Sequence, residues 1–145
     1  MQKPNCFPTS EQAEQAFYRS FKEADIELMM SVWDRGNDVV CIHPGGPRLQ
    51  GVSIVRKSWE QLFSYEQGLE LRVNKISAVL EKEVAIHHVV EDIYVEGELQ
   101  SEIYATNIYR KVNDSWHMVL HHASAELHSV VDLLDEETEE VQTIH

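Results

Sequence analysis

Ala105-Thr106-Asn107-Ile108-Tyr109-Arg110-Lys111-Val112, then Asn113-Asp114, then Ser115-Trp116-His117-Met118-Val119-Leu120-His121-His122-Ala123-Ser124 reads as two long antiparallel strands joined by a tight Asx turn. Alternation along the second strand puts Trp116, Met118 and Leu120 on one face, which then ends in His122 and Ser124. An apolar stripe that turns polar at its tip describes a strand running from a packed core to the mouth of a cavity. With Asn113-Asp114 as a two-residue loop, Val112 faces Ser115, Tyr109 faces Met118, Asn107 faces Leu120 and Ala105 faces His122. Asn107 and His122 then share the face of Trp116 as diagonal neighbours. A bulged turn would shift the register by one and bring Thr106 there instead.

The residues before this hairpin build the rest of the fold. Thr9 is a helix N-cap with Gln12 as its capping-box partner, and Ala13, Ala16, Phe17 and Phe21 recur at helical spacing. Asp25 caps a second, short helix carrying Ile26, Met29, Met30 and Trp33 and ending at Gly36. Val39 to Ile42 is a buried strand, stopped by His43-Pro44-Gly45-Gly46-Pro47. Val52 to Tyr65 predicts a third helix with Val55, Trp59, Leu62 and Phe63 on one stripe. The period then changes to two. Leu69, Leu71 and Val73 alternate, and Ile76 and Ala78 continue out of phase, which predicts a bulge near Asn74-Lys75. Val84 to Val95 and Leu99 to Val112 complete four long consecutive strands, an α+β arrangement of three N-terminal helices packed on a curved, mainly antiparallel sheet. The expected organisation is an N-terminal arm over 1–8, one domain over 9–126, and an amphipathic piece with an acidic tail over 127–145.

Composition narrows the function. Twelve Lys and Arg stand against 25 Asp and Glu in 145 residues, a formal charge of −13. Seven of the acids lie beyond Ala125, where there is no Lys or Arg, so the body has no basic stripe. Nucleic acid and anionic membrane are not expected partners. No stretch approaches the roughly 20 apolar residues of a membrane span, and the polar start resembles no export signal. Cys6 and Cys41 are expected as reduced thiols in a cytoplasmic protein.

Cys41-Ile42-His43-Pro44-Gly45-Gly46, Gly51, Ser58-Trp59, Ala105-Thr106-Asn107-Ile108-Tyr109 and Trp116 through Ser124 together resemble the NTF2-like superfamily. This is the cone-shaped fold of ketosteroid isomerase, scytalone dehydratase and the polyketide cyclase SnoaL. The order of elements is most similar to the small stand-alone SnoaL-like domains, and more distantly to the association domain of calcium/calmodulin-dependent kinase II. The resemblance implies a cone-shaped pocket and a homodimer through the convex sheet face. It leaves function open among enzymes, binding modules and assembly domains.

The candidate pocket has Trp33, Trp59, Tyr109 and Trp116 as aromatic walls, with plain core packing as the alternative for the three tryptophans. His43, Asn107, His122 and Ser124 are its polar groups. They predict binding of a small, largely apolar molecule with a polar end. The second reading is an isomerase, cyclase or dehydratase working by acid–base chemistry, with His122 as base or acid and Asn107 or Tyr18 holding an oxyanion. Asp92 is the nearby acid, on an unresolved face, and either His87 or His88 turns inward. A third reading is a non-catalytic assembly module. No metal and no cofactor are expected: no His-x-His occurs, and adjacent His pairs point to opposite faces. On the same register the convex face carries Tyr104, Thr106, Ile108, Val119, His121 and Ala123.

Overall fold

In the computed structural model, residues 6–65 and 68–125 are described. The reading of the acidic tail therefore lies outside the described residues. Thr9 takes an extended conformation and its hydroxyl accepts from the Gln12 amide, opening α1 (Ser10–Glu23). Ala24, in the left-handed region at φ 52°, closes α1, and the Asp25 carboxylate accepts from Leu28 N to start α2 (Ile26–Val32). The helix stops there rather than at Gly36. Trp33 is its extended C-cap and bridges to Met118 of the last strand.

β1 (Val40–Ile42) pairs with a two-residue β2 (Leu49–Gln50) that sequence reading did not anticipate. Gly51, at φ 100°, turns that strand into α3 (Val52–Tyr65), a conformation that costs a side-chain-bearing residue strain. The long strands follow: β3 (Leu69–Leu80), β4 (Val84–Val95), β5 (Glu98–Val112) and β6 (Ser115–Ala125). The sheet order is β2-β1-β6-β5-β4-β3, antiparallel except where β1 runs parallel to β6. The expected bulge in β3 falls at Ile76, between the pairs Lys75–Val89 and Ser77–His88.

A second bulge decides which side chains face inward. Asn113 and Asp114 both have positive φ and form the expected two-residue loop, so Tyr109 faces Met118 as predicted. The next pair is Ile108–Leu120, leaving Val119 without a partner. Beyond that residue every side chain of β6 changes face. His121 and Ala123 turn toward the helices, and His122 and Ser124 turn away and are exposed. The expected placement of His122 inside, and of His121 and Ala123 on the outer face, is corrected accordingly.

The helices cover one face of the curved sheet, and the core sits between them. Trp59 is its hub, with Phe17, Phe21, Phe63, His43 and His121 all in ring contact at centroid distances of 4.7–5.8 Å. Burying each large apolar side chain contributes about 1.5–3 kcal/mol. Trp33, Trp59 and Trp116 are 1%, 0% and 6% exposed. They pack the core. Phe7 belongs to the domain as well: its amide donates to Ser115 Oγ, and its carbonyl accepts from Trp116 N.

Candidate functional site

Inside this apolar shell lies a polar network drawn from α1, β4, β5 and β6. On α1, Glu14 precedes Phe17 and Tyr18 by three and four residues, so all three share the inward stripe. On β4, alternation turns Ala85, His87, Val89 and Glu91 inward together. Asn107 and Tyr109 come from β5 and His121 from β6. Of the two adjacent histidines of β4, His87 is the buried one, and Asp92 sits opposite Arg72 and Glu102 on the other face.

Asn107, fully buried, is the junction. Its Nδ2 donates to the Tyr18 hydroxyl at 2.9 Å and to Glu14 Oε2 at 3.2 Å, while its Oδ1 faces His121 Nδ1 at 2.6 Å. A carbonyl oxygen only accepts, so His121 carries its proton on Nδ1 and presents a lone pair on Nε2, 4.0 Å from Glu91 Oε2. Tyr18 donates to Glu91 Oε2 at 2.6 Å. Tyr109 donates to Glu14 Oε2 at 2.8 Å, and His87 Nδ1 lies 3.0 Å from the same oxygen. The far nitrogen of His87 meets Ser10 Oγ at 3.0 Å.

Two carboxylates, Glu14 and Glu91, stand in this interior, and among the described residues no Lys or Arg is buried. Burial first, with the positive charge of His43 and His122 nearby, pushes His121 down to about 3, so its ring is neutral. Burial, then the negative charge of Glu91 and the hydrogen bond to it, raises the Tyr18 hydroxyl well above the ordinary tyrosine range. Burial and the charge of Glu14 do the same to Tyr109.

The network meets an open cleft at α1. A cleft of about 550 Å³ between α1 and β3 is lined by Glu14, Tyr18, Arg19, Lys22, Val73 and Lys75 among others. Glu14 and Tyr18 thus belong both to the cleft floor and to the buried network. At the other end of the sheet, His43 is half-buried, with Nε2 3.1 Å from Ser58 Oγ and its ring edge-on to Trp59. Burial lowers its pKa. Cys41 beside it is buried, its thiol pushed up to about 12 by desolvation, which makes it an unreactive packing group. His122 and Ser124 line a depression of about 240 Å³ on the sheet face that none of the described helices covers, with His88, Tyr104 and Thr106.

Of the residues singled out from sequence, Asn107, Tyr109 and Tyr18 are brought together, and His43, His122, Ser124 and Asp92 stand apart from them. Glu14, Glu91 and His121 were missed, and His87 was left undecided against His88. Glu14 carried a readable signal in its spacing from Phe17, and His87 and Glu91 in their shared parity with Ala85 and Val89.

Three helices on a curved, mostly antiparallel six-stranded sheet, with a polar network under the first helix, define an NTF2-like α+β protein. The sequence profile of the SnoaL-like domain matches residues 11–128, and the chain belongs to that family. Among solved structures it is similar to a Thiobacillus denitrificans protein assigned as a calcium/calmodulin-dependent protein kinase type II association domain. The two are 37% identical over 85% of this chain and 99% of that one, with a TM-score of 0.81. A Streptomyces avermitilis NTF2-like protein assigned as a dehydratase is 27% identical over 81% of this chain and 93% of its own, with a TM-score of 0.73. The F-box protein SKIP8 of Arabidopsis thaliana is 28% identical over 111 residues, which are 77% of this chain and 47% of that protein. The chain thus spans about half the length of that curated relative. Among the described residues, no helix is long and apolar enough to cross a membrane.

Proposed function

We propose that this SnoaL-like domain binds a small molecule in the cleft between α1 and β3, gripping the polar end of the ligand with Glu14 and Tyr18. The observation that carries this reading is the double membership of those two side chains, which line an open cleft and are held from behind by Asn107, Tyr109 and Glu91. A cleft of about 550 Å³ suits a small organic ligand. Buried polar groups already positioned by the protein cost little to order when a ligand arrives. The walls are polar, with Val73 and the hydrocarbon stems of Arg19, Lys22 and Lys75 supplying the apolar contact. Tyr18→Phe removes the hydroxyl while keeping the ring. It is expected to weaken binding by about tenfold, the worth of one hydrogen bond between a ligand and a buried group. A thermal-shift screen of amines, alcohols and carboxylic acids, repeated on the variant, reads this directly. A ligand that binds both proteins equally would place the site elsewhere.

Acid–base catalysis is the second reading. Tyr18, at the cleft floor, is hydrogen-bonded to Glu91 at 2.6 Å, which sets a phenol–carboxylate pair able to exchange a proton at the edge of the cleft. Turnover of a bound compound, lost in Tyr18→Phe, separates an enzyme from a binder.

The sheet face that none of the described helices covers favours a reading of self-association. Val79, Ile86, Ile108 and Leu120 form an aliphatic row across four strands, and Val79 and Tyr104 are 56% and 46% exposed. The third reading, an assembly module, rests on the same face. A homodimer closed over it is expected to become monomeric when Ile86→Arg places a charge in the row. Light scattering after gel filtration is the check, and an unchanged mass would remove this face from the interface.

A further inference from the structure

We propose that the ligand end taken up at the cleft floor is a cation, a protonated amine or an amidine, received by Glu14; this rests on the cleft being the binding site. Glu14 is 8% exposed, and the protein groups around it converge on one oxygen: Tyr109, Asn107 and His87 all reach Oε2. No donor among the described residues reaches Oε1, although Glu14 lines the cleft. A carboxylate fixed through one oxygen, with the other left to the opening, is an acceptor awaiting a donor. Glu91 stands behind Tyr18 with its own oxygen on the Tyr18 hydroxyl, so the carboxylate at the cleft floor is that of Glu14. Of the two histidines in the network, His121 is tied to Asn107 and His87 Nε2 to Ser10, while His87 Nδ1 lies 3.0 Å from Glu14 Oε2 without forming a hydrogen bond.

The cations lining the cleft do not fill this place. Lys75 is paired with Glu11 at 3.4 Å and Arg19 with Glu23 at 3.3 Å. Lys22 lies eight residues along α1 from Glu14, about 12 Å away at 1.5 Å per residue. An anion brought to the floor would meet the Glu14 carboxylate in a poorly solvated site, where like-charge repulsion is screened least. An ammonium group meets one open acceptor of opposite charge, in a charge-assisted hydrogen bond roughly twice as strong as a neutral one.

The test uses matched pairs that differ only in the head group, benzylamine against benzoate and butylamine against butyrate. They are titrated into the isotopically labelled chain, following the Val73 methyl signals at the cleft wall. The expected result is saturable shifts with the amines and none with the acids, and a loss of about tenfold in amine affinity in Glu14→Gln, which keeps shape and removes charge. Should that variant fail to fold, competition between amine and acid on the unaltered protein decides the question. Acids that bind at Val73 as tightly as amines overturn the cation assignment and leave the cleft standing. No shift at Val73 with either class, while shifts appear elsewhere, overturns the cleft itself and the cation assignment with it.

Discussion

Replacing Asn107 with leucine is expected to lower the free energy of unfolding by about 3 kcal/mol or more, although the two side chains have the same number of heavy atoms and the same branching. The residue is fully buried and makes three hydrogen bonds to three different partners. Leucine leaves the His121 Nδ1–H without its acceptor and strips a donor from Tyr18 and another from Glu14. Each buried polar group left unpaired costs about 1–3 kcal/mol. Glu14 keeps Tyr109 and Tyr18 keeps Glu91, so the largest share falls on His121. The double variant Asn107→Leu with His121→Phe removes both members of the shortest link and is expected to regain part of the loss, since replacing both partners by apolar groups is nearly neutral. Urea denaturation with an unchanged m-value reads both numbers. A loss under about 1 kcal/mol in the single variant would mean that the network relaxes around the gap and does not fix the interior.

The same residue marks the boundary between what the sequence discloses and what it conceals. The helices and long strands were legible because each rule acts locally. Thr9 and Asp25 cap their helices as spacing predicts, Asn113-Asp114 makes the tight turn, and Ile76 takes up the predicted bulge. Asn107 was placed inward because its parity is counted along β5 from that turn. His122 was misplaced because the count along β6 crosses Val119, and a bulge leaves no mark in a run as apolar as Met118-Val119-Leu120. The adjacent pair His121-His122 made the error invisible, since either register puts one histidine inside. Asp92 was preferred over Glu91 for the same kind of reason: neighbouring acids on a strand cannot be told apart until the face is fixed. Trp33 and Trp59 look alike as wall or as core, and only packing decides between them. The cleft itself arises where α1 meets β3, a contact between segments far apart in the chain that no local pattern encodes.

Acidification is expected to unfold the protein well before its surface carboxylates are all protonated. In the folded chain the His121 ring is held down at about 3, against an ordinary value of 6.5 when it is released to water. Above pH 6.5 neither state binds a proton there, and the buried neutral ring is fully compatible with folding. Below it the unfolded chain takes up a proton that the folded one refuses, so stability falls by about 1.4 kcal/mol per pH unit until the folded value is reached. His43, lowered by burial, acts with the same sign over a smaller range because it is only partly enclosed. The tyrosines impose the opposite limit. Tyr18 and Tyr109 are raised above 10, so stability present below that pH is lost as it climbs and the unfolded phenols ionise first. Chemical denaturation at a series of pH values should therefore trace a dome with both flanks set by the interior network. His121→Phe provides the control: it is expected to be less stable at neutral pH, because Asn107 Oδ1 loses its donor, yet to lose less on acidification. An acid flank as steep in the variant as in the parent would assign the protons to other groups, and His121 would then be titrating in contact with water rather than sealed in the core.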